Sequence, residues 1–301
     1  MRIAVVGSTA SGKSAVAHEV ARQRGDCEII CVDAMTVYRG MDIGTAKPTP
    51  AEREEVPYHL LDLVNPWEEF SVAEFQRVAR VARDDIEARG HHVLYVGGTG
   101  LYGRAVIDDF DIPGMYPDIR QRLEERAITE LPALMAELEQ RDPLAASRVE
   151  PDNARRIVRA LEVIEGSGRH FSSFGEGLTT YGESSVMQLG LQRPLEEMDA
   201  RVEHRFREWM VAGFADEVRD LLQHPGGLSK TAAQAVGYRE LASFWRGECD
   251  RESAIGAALE ATRRLVRRQR RWFRRDPRIC WFETTDSAQA NLHAMLENLG
   301  D

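Results

Sequence analysis

Residues 3–14 read Ile3-Ala4-Val5-Val6-Gly7-Ser8-Thr9-Ala10-Ser11-Gly12-Lys13-Ser14. A short apolar run feeds a turn that fits the phosphate-cradling pattern G-x-x-x-x-G-K-[ST] without a mismatch. A strand, a glycine-rich turn and a helix in that order aim backbone N–H groups and a helix N-terminus at one point, which favours an anion there. Lys13 would add a point charge on the terminal phosphates, and Ser14 a hydroxyl ligand for Mg²⁺. The motif alone leaves open whose phosphates are held, since kinases, ATPases, GTPases and transferases share it.

Working outward, strand-like runs occur at Arg2–Val6, Glu28–Val32, His92–Val96, Val186–Leu191 and Arg278–Phe282, with helical segments between them. That alternation predicts an α/β fold of the P-loop NTPase type, a mostly parallel sheet covered by helices. Ser71-Val-Ala-Glu74 is a capping box opening a helix that Gly90 ends. Gly97-Gly98-Thr99-Gly100 then makes a second glycine-rich turn at the carboxyl end of a strand, where open α/β sheets place ligands. From Tyr116 the pattern changes to helices alone, Asp118–Ala127, Leu131–Glu139 and Asn153–Glu165, followed by a polar stretch from Gly166 to Ser185. The expected organisation is a core of residues 1–115 and 186–301 carrying a helical insertion over 116–185. Helices are expected again at Leu195–Trp209, Phe214–Leu222, Ala232–Trp245 and Glu252–Phe273.

At 301 residues the chain is long for one compact domain, consistent with a core plus an insertion. No apolar run approaches the roughly 20 residues of a membrane span, and the first strand starts at once after Met1, so a cytoplasmic protein is expected. Cys27, Cys31, Cys249 and Cys280 form no zinc-type spacing and are expected to be reduced, mostly buried thiols. The net charge of −10 argues against a polyanionic partner only if charge is evenly spread. It is not: residues 263–278 hold nine arginines and one acid. A second basic cluster comprises Arg155, Arg156 and Arg159. On the last helix Ile255, Leu259, Thr262, Val266, Gln269 and Phe273 share one face, and Arg264, Arg267 or Arg268, Arg271 and Arg275 another. Such a stripe is either a solvated face or, beside a phosphate-binding domain, a surface for a folded polyanion.

Asp33 follows the second strand in the crevice of the first glycine loop. Alone it reads equally as a metal ligand, a general base or a cap. The stretch that follows, Tyr38-Arg39-Gly40-Met41-Asp42-Ile43-Gly44-Thr45-Ala46-Lys47-Pro48, is far more specific. With Gly7–Ser14, His59–Asp62, Gly97–Tyr102, Arg156–Val163, Arg201–Gly213, Gln234–Arg239 and Arg268-Gln269, it closely resembles the tRNA dimethylallyltransferases, also called tRNA isopentenyltransferases. The resemblance spans nearly the whole chain.

It implies transfer of a dimethylallyl group from dimethylallyl diphosphate to the exocyclic amine of the adenosine just 3′ of the anticodon, position 37. The glycine loop, Gly7, Ser8, Thr9, Ala10, Ser11, Gly12, Lys13 and Ser14, would then hold the diphosphate leaving group, with Mg²⁺ near Ser14. By the same resemblance Asp33 is the general base and Thr99 contacts the reacting site, against a plain helix-turn role. Arg205 binds the diphosphate with Arg201 orienting it, against surface ion pairing. The tRNA-contacting positions carried over are Asp33, Ala34, Met35, Thr36, Thr99, Arg120, Arg155, Arg156, Ile157, Val158 and Arg159. Gln234, Ala235, Val236, Gly237, Tyr238 and Arg239 complete that set. The adenine must leave its stack before reacting. The insertion would grip the anticodon stem, and no obligate protein partner is implied, so a monomer is expected.

Three departures from the family pattern stand out. Ser8 replaces a usual proline, a matter of loop stiffness. Ala34-Met35-Thr36 stands where Ser-x-Gln is common, and Thr36 lacks the paired donor and acceptor of an amide. Arg155 occupies a position where Gln is common. The zinc finger of eukaryotic relatives is absent, which suits a bacterial-type enzyme. The competing readings are a small-molecule kinase, a prenyltransferase for free adenine nucleotides, and a non-catalytic tRNA binder; the arginine stripe and insertion favour a polymeric substrate.

Overall fold

The computed structural model describes residues 1–174 and 180–284. Six strands, β1 (Arg2–Val6), β2 (Cys27–Cys31), β3 (Tyr58–His59), β4 (His92–Gly97), β5 (Met187–Gln192) and β6 (Ile279–Glu283), form one parallel sheet in the order β3-β2-β4-β1-β5-β6. The helices in chain order are α1 (Lys13–Arg24), α2 (Pro50–Glu55), α3 (Val72–Ala88), α4 (Gly100–Ile107), α5 (Pro117–Arg141) and α6 (Pro143–Ala146). They continue as α7 (Ala154–Ser167), α8 (Leu195–Val211), α9 (Phe214–Gln223), α10 (Tyr238–Trp245) and α11 (Arg251–Phe273).

Strand periodicity explains the two-faced core. In β1, Ile3 and Val5 point to one side and Ala4 and Val6 to the other. Ile3 and Val5 join Ile29, Leu94 and Leu189 under Val16, Ala17 and Val20 of α1. Ala4 and Val6 join Ile30, Tyr95, Phe75, Ile86 and Phe273 on the opposite face. A sheet apolar on both sides must be covered on both, as parallel sheets are.

Each of the five expected strands lies within one residue of its expected bounds. The two-residue β3 carried no pattern to read. Three helical expectations change. Asp118–Ala127 and Leu131–Glu139 are one helix, α5, kinked where Glu130 leaves helical geometry (φ −121°, ψ 24°) just before Pro132, whose ring cannot fit a straight helix. The expected helix Ala232–Trp245 is a 3₁₀ turn, Ala232–Gln234, followed by a break and then α10. The break is at Gly237, with φ +91°, a conformation glycine adopts without strain; the Glu240 carboxylate accepts its N–H at 2.8 Å and caps the new helix. Third, the second glycine turn leads directly into α4.

All four cysteines are free, as expected, but only Cys27 is buried. Cys31 and Cys249 are half-buried, and Cys280 is exposed on the edge strand β6. No helix among the described residues is long and apolar enough to cross a membrane.

Contacts divide the chain into two compact units, Met1–Ile107 with the chain from Glu183 onward, and Asp108–Gly182. The second has its own core of Leu123, Leu134, Leu138, Ile157, Val158 and Leu161 between α5 and α7.

Candidate active site

The turn Gly7–Gly12 sits between the carboxyl end of β1 and the N-terminus of α1. Two residues hold the chain in left-handed geometry, Ala10 (φ +66°) and Gly12 (φ +94°), which turns successive amides inward. The loop's other polar groups are tied from outside. Arg201 Nε donates to the Ala10 carbonyl at 3.1 Å, Thr284 Oγ1 to that of Ser11 at 3.1 Å, and Lys13 Nζ to that of Ser8 at 3.4 Å. Arg205 donates to Thr9 Oγ1 at 2.7 Å and lies 4.7 Å from the centre of the Trp209 ring, a cation–π contact that fixes its plane.

Three cations, Lys13, Arg201 and Arg205, thus converge on one loop. Burial, then the positive charge of Arg205, lowers the Lys13 pKa to about 8 although Asp33 opposes them. Burial, then Arg201, lowers that of Arg205 to about 10 against Glu208. Charges held at this cost are electrostatically incomplete until an anion joins them. The buried Arg205 Nε and Ser11 Oγ have no hydrogen-bond partner among the described residues.

Across the crevice, at the ends of β2 and β4, Thr99 Oγ1 donates to Asp33 Oδ2 at 3.3 Å and accepts the N–H of Ala34 at 3.4 Å. Asp33 Oδ1 accepts the N–H of Met35 at 2.8 Å. The carboxylate therefore makes a local turn with one oxygen and faces Thr99 with the other. Ala34 and Met35 are half-buried; Thr36 is buried, and its Oγ1 has no partner among the described residues.

Of the segment 234–239, Gln234 and Arg239 are exposed, Val236 is half-buried, and Ala235, Gly237 and Tyr238 are buried. Tyr238 is fully enclosed, and its hydroxyl donates to Glu217 Oε1 at 2.5 Å. Glu217 also accepts the N–H groups of Asp42 (3.0 Å), Ile43 (2.9 Å) and Gly44 (3.4 Å), locking the stretch that follows Asp33. Lys47, 9% exposed, holds the same stretch from the other side by donating to the Tyr38 carbonyl and pairing with Asp42 and Asp62, each at 2.5–2.6 Å. Arg268 and Arg271 are exposed on α11, while Arg267 pairs with Asp199 and Arg264 with Glu260.

Within the helical unit, Arg155 and Arg156 are exposed at the start of α7. Arg159 is committed to the carbonyls of Pro113 and Gly114 and, with Arg120, to the buried Glu162. Ile157 and Val158 are core residues whose side chains reach no solvent. Sequence reasoning assigned no role to Gln269, Glu217 or Lys47, whose partners are set by tertiary contacts.

A phosphate-type loop at the head of a parallel sheet, three cations on it and a carboxylate–hydroxyl pair opposite define a P-loop α/β protein built to act on a phosphorylated ligand. The comparisons narrow this. The IPP transferase family model matches residues 36–276. A protein of Kineococcus radiotolerans called tRNA dimethylallyltransferase is 47% identical, covering 95% of this chain and 92% of that one. One of the same description from Acidothermus cellulolyticus is 46% identical, covering 95% and 90%. The crystal structure of a Bacillus halodurans tRNA isopentenylpyrophosphate transferase is 34% identical and superposes with a TM-score of 0.73, covering 99% of this chain and 94% of that one. The chain belongs to the IPP transferase family.

Proposed function

We propose that this protein transfers a dimethylallyl group from dimethylallyl diphosphate to the exocyclic amine of adenosine 37 in tRNA, releasing diphosphate. The observation that carries the reading is the convergence of Lys13 and Arg205 on an anion-cradling loop, facing the Asp33–Thr99 pair. As the carbon–oxygen bond of the donor breaks, its electron pair leaves with the diphosphate. The growing charge meets loop amides, Lys13 and Arg205, donors already in place that need no reorganisation. The allylic carbon spreads the positive charge and accepts the amine nitrogen. The amine proton passes to Asp33, through the oxygen that faces Thr99 and not the one committed to Met35. A positioned base of this kind is worth roughly 10²- to 10⁴-fold.

Mg²⁺ fits as a companion of the diphosphate. Among the described residues no three His, Cys, Asp or Glu side chains cluster as a cage, and the exposed Ser14 hydroxyl would be the ion's protein ligand. When bound it supplies charge neutralisation to the leaving group.

For the RNA, the exposed cations Arg155, Arg156, Arg239, Arg268 and Arg271 suit phosphate contacts, and Gln234 supplies a polar contact, while the buried Thr36 supports the loop after Asp33. Ile157, Val158, Ala235, Gly237 and Tyr238 contribute as scaffold. The unit Asp108–Gly182 would hold the anticodon stem. The protein would work as a monomer in the cytoplasm, where tRNA is used. The test is mass spectrometry of an anticodon stem–loop incubated with protein, Mg²⁺ and either dimethylallyl diphosphate or ATP. A gain of one C5H8 with the prenyl donor alone supports the reading; ATP consumption with no such gain refutes it.

A further inference from the structure

We infer that Gln269 is a positioning residue that fixes the two glycine-rich loops in register, so that the leaving-group loop and the Asp33–Thr99 pair face each other at a set separation. This rests on the activity proposed above. Gln269 lies on α11, half-buried, between the exposed Arg268 and Arg271 flanks. Its Oε1 accepts the N–H of Thr9 at 2.8 Å, in the first loop. Its Nε2 donates to the Gly98 carbonyl at 2.8 Å, one residue before Thr99 in the second loop. The orientation of the amide is dictated by the partners, since one is a donor and the other an acceptor. A single planar group is thus shared by loops 89 residues apart in sequence, both from strand ends that carry the chemistry. The fit is close: a Cβ at Gly98 would stand 2.8 Å from Nε2, so a side chain there would push the amide out of its place.

The consequence is kinetic. Catalytic groups must be held within a fraction of an ångström, and a small misplacement costs rate without costing substrate affinity in proportion. Gln269 touches neither reactant in this account; it acts through Thr9 and through Thr99. Glutamate is its useful probe. A protonated carboxyl has one donor and one acceptor, as the amide has, whereas the ionised form can still accept from Thr9 but repels the Gly98 carbonyl.

The experiment measures kcat, donor KM and stem–loop Kd for the wild type, Gln269→Met and Gln269→Glu at about pH 7.5. Expected for Gln269→Met, which fills the same volume without hydrogen bonds, is a fall in kcat of about tenfold or more with stem–loop Kd within twofold of wild type. For Gln269→Glu, ionised at this pH, kcat should fall at least as far with the same small change in stem–loop Kd, because the carboxylate repels the Gly98 carbonyl. A stem–loop Kd that weakens as much as kcat falls would make Gln269 an RNA contact. Wild-type kinetics in Gln269→Met or in Gln269→Glu would equally overturn the inference. Failure of the underlying reading is separate, since it appears as absence of prenyl transfer by the wild-type protein.

Discussion

Lys13 offers a titration that isolates one charge. With its pKa near 8, the ammonium is about nine-tenths protonated at pH 7 and about one-tenth at pH 9. A bound diphosphate restores the opposite charge that burial and Arg205 deny it, so the complex keeps the proton. Donor capture must then take up a proton as pH rises through 8, and kcat/KM for dimethylallyl diphosphate at saturating stem–loop should fall about tenfold between pH 7 and pH 9, equivalent to about 1.4 kcal/mol. The sign follows from the free site: above pH 8 the neutral amine must be recharged, and below it the charge is already present. Lys13→Arg is the control, since a guanidinium stays charged throughout this range. Ionisation of the donor, the RNA and every other side chain cancels in the ratio of the two enzymes. A ratio that stays flat from pH 7 to pH 9 would refute the argument that the loop holds an electrostatically incomplete lysine.

Asp33→Ala should lower kcat by roughly 10²- to 10⁴-fold while stem–loop Kd moves within about threefold, measured by single-turnover prenylation and by filter binding. Arg268→Ala with Arg271→Ala should weaken stem–loop binding and reduce the slope of log K against log salt by about 1.4, two phosphate contacts at about 0.7 each. Lys47→Met should cost about 2 kcal/mol in denaturant unfolding. That is less than the ~3–5 kcal/mol for breaking a fully buried pair, because its partners Asp42 and Asp62 keep contact with water.

The sheet was legible because its strands are short apolar runs bounded by loops, and because the glycine pattern after β1 specifies its own neighbours. Lys13 was legible through the glycine pattern itself, and Asp33 and Thr99 as candidates because each follows a strand end and parallel strands bring those ends together. What escaped was decided by long-range partners. Nothing local distinguishes Glu217 from the other acids of α9, and its meaning lies 173–175 residues away in three backbone amides. Gln269 stands out in sequence only as a polar residue on the apolar face of the last helix and as part of the Arg268-Gln269 match, and its partners Thr9 and Gly98 appear only in the fold. The break at Gly237 was hidden in a run of helix formers, where one glycine commonly passes as a weak point and not an end. Tyr238 and Ile157 fell in segments matched to RNA contact, yet their apolar bulk fills cores; a segment can line a surface while half its side chains support it.

Glu217 carries a further consequence. Three successive amides turned toward one spot form an anion receptor of the same kind as the glycine loop. In residues 42–44 that receptor is corked by a carboxylate from the chain itself, with the Tyr238 hydroxyl as a fourth donor. Free phosphate and diphosphate meet a receptor that is already taken there, because a tethered carboxylate competes at a high effective concentration. Selectivity for where an anion sits is therefore written twice in this fold, once by leaving donors open at Lys13 and once by plugging donors elsewhere.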